Sequence, residues 1–529
     1  MTTVNPSAAI IVYSYIDRGG SGSTKNIACE TISITESIIS IDTSKTKSRP
    51  AGTFDVKLAP SRNWIASIAP GSWVEIHMST RKITNSDFLK PSEQTLKMIG
   101  IIDSIRMSVA VDQTTGARST VYSLVGRDWG AALESFLYID SALSSSAESP
   151  LIKAINLLSY AKLNSSDVIV TGVFSPKDMI RKILSVWGKG MAATASTLMN
   201  YNLFAQYKLP IEVAAKLNNK SVFLSDQIRV VSGKLTGKDD YQSVTDSLGV
   251  FNPQSLVGIN TVWQLINVHS NNILNELVAD MRWVDSYPSM CLYHRIKPFN
   301  VKGTNILGLS SNFFNVKQVQ IPTYDVMGID LGDNTQDIVN FIEILPNASI
   351  STLPANQVQG IIATIKPKSS EIDTISLSRY GLKPLVYSSL FAPASGSVPD
   401  WSKVISWLPL VKDWYFDCHK MLNGTVAILG QDKFIGVGDN IVLDSQILGK
   451  TDFVNASNTT LVAHVESVRH SFRYDINSGR TFTTTINFVR GVMANKSASA
   501  LANPDAFGIH TNSKLLPVDK TKIKNIYSE

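Results

Sequence analysis

Two stretches of this chain, 363 residues apart, carry one pattern. Ile102-Asp103-Ser104-Ile105-Arg106-Met107-Ser108-Val109 lines up with Val465-Glu466-Ser467-Val468-Arg469-His470-Ser471-Phe472. The offset runs on without a gap, so that Asp112 falls on Asp475, Gly116 on Gly479 and Arg127 on Arg490. Upstream, Gly71-Ser72-Trp73-Val74-Glu75-Ile76 meets Gly438-Asp439-Asn440-Ile441-Val442-Leu443 at an offset of 367. Gly52-Thr53-Phe54-Asp55-Val56 meets Gly424-Thr425-Val426-Ala427-Ile428 at 372. The drift falls between the matched segments, where loops tolerate insertions. A repeat constrains a fold strongly, because both copies must form the same supersecondary unit.

That unit reads as β structure. Each copy has a strand starting just after a glycine and a second strand entered through Gly-polar, where a positive φ is expected. A long hairpin follows, its arms joined through Asp…Gly. Polar residues alternate with aliphatic ones on its first arm, the mark of a half-buried strand. The candidate structural positions are Gly71, Trp73, Asp103, Gly116 and Arg127 in the first copy. In the second they are Gly438, Asp439, Glu466, Gly479 and Arg490. Arg127 and Arg490 are expected at equivalent places, either in structural ion pairs at ring contacts or as ordinary surface residues.

Between the copies the period changes. Ala8 to Tyr13 reads as a strand and Gly19 to Ser23 as a break. Ser149-Pro150 and Ser175-Pro176 are helix starts, a cap residue before a first-turn proline. Leu151 to Leu163 follows the first. Met179, Ile180, Ile183, Leu184 and Trp187 make one helical face after the second. Thr261 to Trp283 is predicted helical, in one piece or two, with Ile273, Leu274, Leu277, Val278 and Met281 on one face and Asn275, Glu276, Asp280 and Arg282 opposite. Ser289 to Ile296 is a predicted strand, and residues 300–375 are predicted to be mostly β and loop. Asp400 is expected to cap a helical stretch that Pro409 interrupts and Asn423-Gly424 ends. Trp263, Trp283, Trp401, Trp407 and Trp414 sit on these helical stripes, as core residues.

The chemistry-bearing residues do not assemble into a motif. Net charge is +6 over 529 residues, and the densest basic stretch, Lys520, Lys522 and Lys524, is short, unlike the stripes of a nucleic-acid binder. Cys29, Cys291 and Cys418 are too few and too far apart for a disulfide framework or a metal knuckle. No signal peptide or membrane span is read. Seven histidines form no HExxH; His464 and His470 are expected on one face of one strand, too far apart to chelate an ion. No cofactor, metal or catalytic residue is expected. A cell-wall hydrolase would need paired carboxylates; Glu134, Asp140, Glu148, Asp239 and Asp240 are available, but nothing pairs them. A cell-wall hydrolase or peptidase and a receptor- or carbohydrate-binding β protein are the alternatives to a structural role.

Several segments carry a resemblance. They are Gly52 to Met78 with Asn63-Trp64 and Ile68-Ala69-Pro70-Gly71; Gly100 to Ile105 with Leu124 to Trp129; Asn272 to Leu277 with Tyr293 to Phe299; and Gly424-Thr425-Val426 through Gly436-Val437-Gly438-Asp439 to Gly479-Arg480-Thr481-Phe482. Together they cover about half the chain, and in this order the sequence resembles the baseplate hub proteins of contractile-tailed bacteriophages. Late-control-D proteins and the base of the type VI secretion spike are more distant members of that superfamily. The resemblance implies a homotrimer in the virion tail, assembled in the host cytoplasm. Its six tube-like domains would form a pseudo-sixfold ring. Its implied partners are a central spike protein, the tail tube protein or tube initiator, the tape-measure protein and other baseplate proteins. DNA passes only as cargo, and no membrane anchor is implied. Residues 493–529 lack the Val-Gly repeats of type VI spikes, which implies a spike on a separate chain.

The expected fold is therefore α+β and predominantly β: two tube-like antiparallel β-barrel domains separated by a mixed α/β insert. The segments are an N-terminal segment 1–35, the first barrel 36–140, a helical or mixed insert 141–260, a mixed α+β domain 261–400, a helix plus the second barrel 401–492, and a tail 493–529.

Overall fold

A computed structural model describes residues 5–17, 27–111, 118–134, 173–184 (without 178 and 182), 209–217, 224–232, 247–250, 261–284, 286–297, 317–332, 338–346, 370–395, 398–416, 422–444, 459–475 and 479–495. The expected break at 19–23, the helix at 151–163 and the tail beyond 495 lie outside these residues, as do Trp187, Gly116 and Cys418.

The chain is predominantly β. The first strands are β1 (Ser7–Asp17), β2 (Ile27–Ile34), β3 (Ile38–Thr46), β4 (Thr53–Leu58), β5 (Trp73–Ser79), β6 (Leu96–Val111) and β7 (Arg118–Asp128). The middle of the chain adds β8 (Val173–Phe174), β9 (Ile228–Ser232), β10 (Ser247–Val250), β11 (Asn275–Val284), β12 (Tyr287–Ile296), β13 (Gln318–Ile321) and β14 (Val326–Gly332). Then come β15 (Phe341–Pro346), β16 (Ser370–Ile372), β17 (Pro384–Ser389), β18 (Phe391–Ser395) and β19 (Val398–Pro399). The last strands are β20 (Leu422–Leu429), β21 (Asn440–Asp444), β22 (Thr459–Asp475) and β23 (Gly479–Asn495).

One sheet holds both copies of the repeat. Its order is β14-β20-β23-β22-β3-β4-β7-β6-β5-β1-β2, with β21 beside β22 and β13 beside β21. In the first unit β4 pairs with β7, β7 with β6 and β6 with β5, all antiparallel. In the second, β20 pairs with β23, β23 with β22 and β22 with β21, also antiparallel. Strand for strand, β4, β5, β6 and β7 correspond to β20, β21, β22 and β23. The match extends one strand further, since β3 lies antiparallel on β4 as β14 lies antiparallel on β20. The units differ on the other flank: β1 runs antiparallel to β5, whereas β13 runs parallel to β21.

Each unit surrounds its own core. Ile10, Ile34, Ile41, Val56, Ile76, Ile102 and Leu124, one from each of β1 to β7, are buried together. Val319, Val426, Ile441, Val465 and Ile486 share the second core. The expected barrels are not closed: among the described residues no hydrogen-bonded ladder joins β2 to β3, or β13 to β14. Instead the two units are fused edge to edge through β22 and β3.

The inserted segments pack as smaller layers. The residues described between 176 and 184 are helical, and Met179, Ile180, Ile183 and Leu184 are buried as expected. They share a core with Trp73, Trp129 and the helix Val262–Val268. The segment between β14 and β20 builds another core around Ile342, Phe391, Trp407 and Val411.

The predicted helical stretch over 261–283 is corrected to a short helix followed by a strand: of the two pieces the sequence allowed, only the first is helical. Thr261 caps the helix, its hydroxyl accepting from Gln264 N at 3.1 Å while the Gln264 side chain accepts from Thr261 N at 3.2 Å. Asn271, at φ 53°, turns the chain out of it. Asn275–Val284 is then β11, buried on both faces from Asn275 to Arg282. Val278 enters the second core while Leu277, Ala279 and Met281 enter the insert core. A strand buried on both faces loses its period-two signature, and its apolar residues then fitted a helical stripe by coincidence. Trp283 consequently lies on a strand. Asp400 does cap its helical stretch, accepting from Ser402 N at 3.1 Å. Pro409 stands in the first turn of the helix Leu408–Tyr415 and begins it. Asn423-Gly424 lies inside β20 rather than at a helix end.

Candidate assembly interface

The corresponding turns into β5 and β21 share backbone geometry. Gly71 has φ 86° and Gly438 φ 82°, a region that L side chains enter only at a cost. Gly71 N donates to Ile102 O at 2.7 Å, and Ile102 N returns a bond to Ser72 O at 2.9 Å. Gly438 N donates to Val465 O at 2.8 Å, and Val465 N to Asp439 O at 2.9 Å. Both offsets read from the sequence, 367 and 363, are thus realised in one pair of hydrogen bonds. Trp73, fully buried, pairs with Ile101, as its counterpart Asn440 pairs with His464.

A bulge follows at the same place in each copy. The ladder shifts between Ile102 and Ser104 in β6 and between Val465 and Ser467 in β22. Asp103 and Glu466 are the extra residues. Val465 and Val468 both enter the second core, so the bulge reverses the strand's alternation. His464 and His470 therefore lie on opposite faces, not on one.

Two offsets are corrected by the pairing. Ser104 opposes Val125 and Ser467 opposes Asn487, so the returning arms are offset by 362. Arg127, opposite Ile101, corresponds to Val489, opposite His464; Arg490 sits one residue on, at φ 53°. Val56 opposes Leu124 and Val426 opposes Ile486, which sets β4 against β20 at 370 rather than 372. A slip of two residues leaves every side chain on the same face, so patterning alone does not register it. Arg127 pairs within the chain, with Asp103 at 2.8 Å and Glu134 at 3.2 Å. Gly479 begins β23 at φ 80°. Cys29 is exposed and Cys291 buried, both as free thiols.

The seam between the units is a seven-residue ladder, from Ser467 opposite Thr46 to Arg473 opposite Ser40. Phe472 opposes Ile41, and both are buried. Phe472 and Phe482, from the tip of the second unit's hairpin, complete the core of the first. On the outer face Arg469 reaches diagonally to Asp42 at 2.8 Å. At the end of the seam Lys47 contacts Glu466 at 2.9 Å and Glu276 at 3.2 Å.

Buried charges, among them Glu276, Asp280 and Arg282 that the sequence reading set on the polar side of a helix, lock β11 and β12 onto the turn before β21. Arg282 bonds Asp439 and the Val437 carbonyl, and Arg295 donates to the Gly438 carbonyl at 2.5 Å. Val437 N donates to Asp280 at 3.0 Å. Burial pushes the Asp280 carboxyl up to about 6 despite Arg282 beside it. Burial also opposes charge on Glu276, but Arg295 at 2.5 Å, Lys47 and His464 hold its carboxyl well below the usual range. A second network, with Glu75 bonded to Tyr13 at 2.9 Å and Lys216 at 2.7 Å, ties the helix Ile211–Lys216 to the first unit. These pairs fix orientation between elements. A cavity of about 30 Å³ beneath the seam, lined by Thr43, Lys45, Asp128, Asp280 and His470, has room for a water and not for a sugar or peptide. Of the five carboxylates weighed for hydrolysis, Glu134 is engaged by Arg127, and Asp140, Glu148, Asp239 and Asp240 lie outside the described residues. Among the described residues no helix is long and apolar enough to cross a membrane.

No protein-family model and no curated protein matches the sequence. Solved structures similar to it include bacterial and prophage tail proteins and a component of a type VI secretion system. A tail protein from Neisseria meningitidis is 12% identical, with a TM-score of 0.43 over 92% of this chain and 96% of its own. The 43 kDa tail protein of prophage MuSo2 from Shewanella oneidensis is 12% identical, with a TM-score of 0.43 over 91% of this chain and 98% of its own. A type VI secretion component of E. coli is 6% identical, with a TM-score of 0.33 over 86% of this chain and 73% of its own.

Proposed function

We propose that this chain is a structural, non-enzymatic protein of a contractile phage tail, the hub of its baseplate. Three copies form a ring of six near-equivalent β units, each curled sheet serving as a tube-like element. One face of the ring receives the hexameric tail tube and the other a trimeric spike carried on a separate chain. The bore passes tape-measure protein and then DNA during genome ejection, and other baseplate proteins bind the outside. The segments outlined from the sequence then divide the labour: the two β units build the ring and the insert between them reduces sixfold to threefold symmetry.

The observation that supports this reading is the fusion of two topologically equal units edge to edge in one sheet. A contact joining unlike edges of like units is heterologous, and it closes into a ring when its rotation allows. Two units per chain let a trimer match a sixfold partner. The buried ion pairs favour a rigid joint over a flexible linker.

The test is particle imaging of the chain assembled with its tube and spike proteins. Three chains displaying six similar units around a channel is the expected result. A single copy per tail, or six copies, overturns it. Clearing of purified peptidoglycan by the isolated chain would overturn the non-enzymatic part.

A further inference from the structure

The internal seam has two free counterparts in the sheet, one at its β14 end and one along the outer half of β6. Its two sides are the outer half of β22 and the strand β3. The repeat makes β6 the equivalent of β22, and β14 the equivalent of β3. Among the described residues β6 beyond Ile101 has β7 on one side and no strand on the other. Likewise β14 is hydrogen-bonded only to β20. Both are open edges, the feature that natural proteins cover or pair.

The two edges complement each other in detail. After the bulge, Ile105, Met107, Val109 and Val111 take the face that Val468, His470 and Phe472 bury in the second unit. There Met107 is 51% exposed, Val109 52% and Val111 56%. A strand with an uncovered apolar face and an unpaired edge is built for a neighbour. On β14, Ile329 and Leu331 are half-buried on the corresponding face. Charge agrees as well. Arg469 corresponds to Arg106 at the offset of 363. Asp42 corresponds to Asp330, because Ile41 opposes Val56 as Ile329 opposes Val426. Arg106 and Asp330 are both exposed, and among the described residues neither has an ion-pair partner.

We propose that the outer half of β6, Arg106 to Val111, pairs antiparallel with β14 of a second copy of this chain, in the register that β22 and β3 adopt within one chain. Val109 then opposes Ile329, Met107 opposes Leu331, and Arg106 reaches Asp330 diagonally as Arg469 reaches Asp42. The contact is heterologous, so it propagates from chain to chain until a ring closes. It rests on the ring proposed above and supplies the residues that join its protomers.

The test is a cysteine pair in the full chain carrying Cys29→Ser, Val109→Cys with Ile329→Cys, followed on non-reducing gels and by light scattering across a concentration series. Opposed cross-strand residues lie within disulfide reach. The double variant is expected to form a covalent ladder that ends at three chains, while neither single variant cross-links. Charge reversal at Arg106→Asp is expected to weaken association about tenfold, and Asp330→Arg in the same chain to restore it. A trimer by light scattering without cross-linking overturns this pairing and leaves the ring standing. No association at any concentration, and none on addition of the tube and spike proteins, overturns both. Cross-linking by Val109→Cys alone means that like edges meet, and it also overturns the proposal.

Discussion

Arg469 and Asp42 lie 427 residues apart in sequence and 2.8 Å apart across the seam between the two β units. The pair marks the place where the second copy of the repeat is docked on the first. Arg473 approaches the same carboxylate at 4.0 Å. The pair is largely exposed, so its electrostatic worth is small, and the seam's strength comes from the ladder and from Phe472 and Phe482 beneath it. A double-mutant cycle of Arg469→Ala and Asp42→Ala is expected to give a coupling of about 0.2–1 kcal/mol in urea unfolding, weaker at high salt. A coupling above about 2 kcal/mol would show that the surface pair, rather than the core beneath, holds the seam.

The two positive-φ glycines should respond unequally to alanine. At Gly71 an added Cβ meets nothing within 4 Å, so only backbone strain is paid, about 1–2 kcal/mol. At Gly438 the Cβ lies 3.1 Å from the Arg295 guanidinium, which is already committed to Glu276 and the Gly438 carbonyl. Gly438→Ala is therefore expected to destabilise the chain more than Gly71→Ala in denaturant titrations. Equal losses would contradict the account of the clasp.

Glu276 should be costly to neutralise. Glu276→Gln leaves Arg295 and Lys47 facing a neutral amide, with an expected loss of about 3–5 kcal/mol at pH 7. The carboxyl is held below its ordinary value of 4.5. Its contribution is therefore complete above that pH and fades as pH falls through the lower folded value. Unfolding followed from pH 7 down to 2 should lose stability in this acid window in the wild type, and less steeply in Glu276→Gln.

His470 carries the opposite charge logic. Burial lowers its imidazole to about 3, and its ring meets the Thr484 hydroxyl at 2.9 Å. Between that value and the ordinary 6.5 the unfolded chain holds the extra proton. Stability therefore falls as pH drops through this range, by about 1.4 kcal/mol per pH unit for one site. His470→Gln is expected to remove that share of the slope. An unchanged slope between pH 6 and 4 would mean that His470 is charged in the folded protein.

The repeat was legible because the features that make it are local. Gly71 and Gly438 need a positive φ, and Ile102 and Val465 follow at fixed distances within their own strands. Those two spacings reappear as paired backbone hydrogen bonds. Strand content was legible for the same reason, since a half-buried strand writes its alternation into sequence. The buried charges of β11 were not legible. Glu276, Asp280 and Arg282 look like a polar helix face until Arg295, Asp439 and the 436–439 turn are brought against them from up to 160 residues away. The returning hairpin arm was misread by one residue, since a turn of different length changes the register without changing the pattern.

By itself the sequence determined that one β unit occurs twice and where its glycines and strands fall. Tertiary structure alone decided that the units share one sheet, which edge of each meets the other, and which edges remain open. Side-chain periodicity encodes which face of a strand is buried, whereas strand pairing is made by backbone groups that every residue carries. The choice of partner edge therefore emerges only when distant strands are packed together.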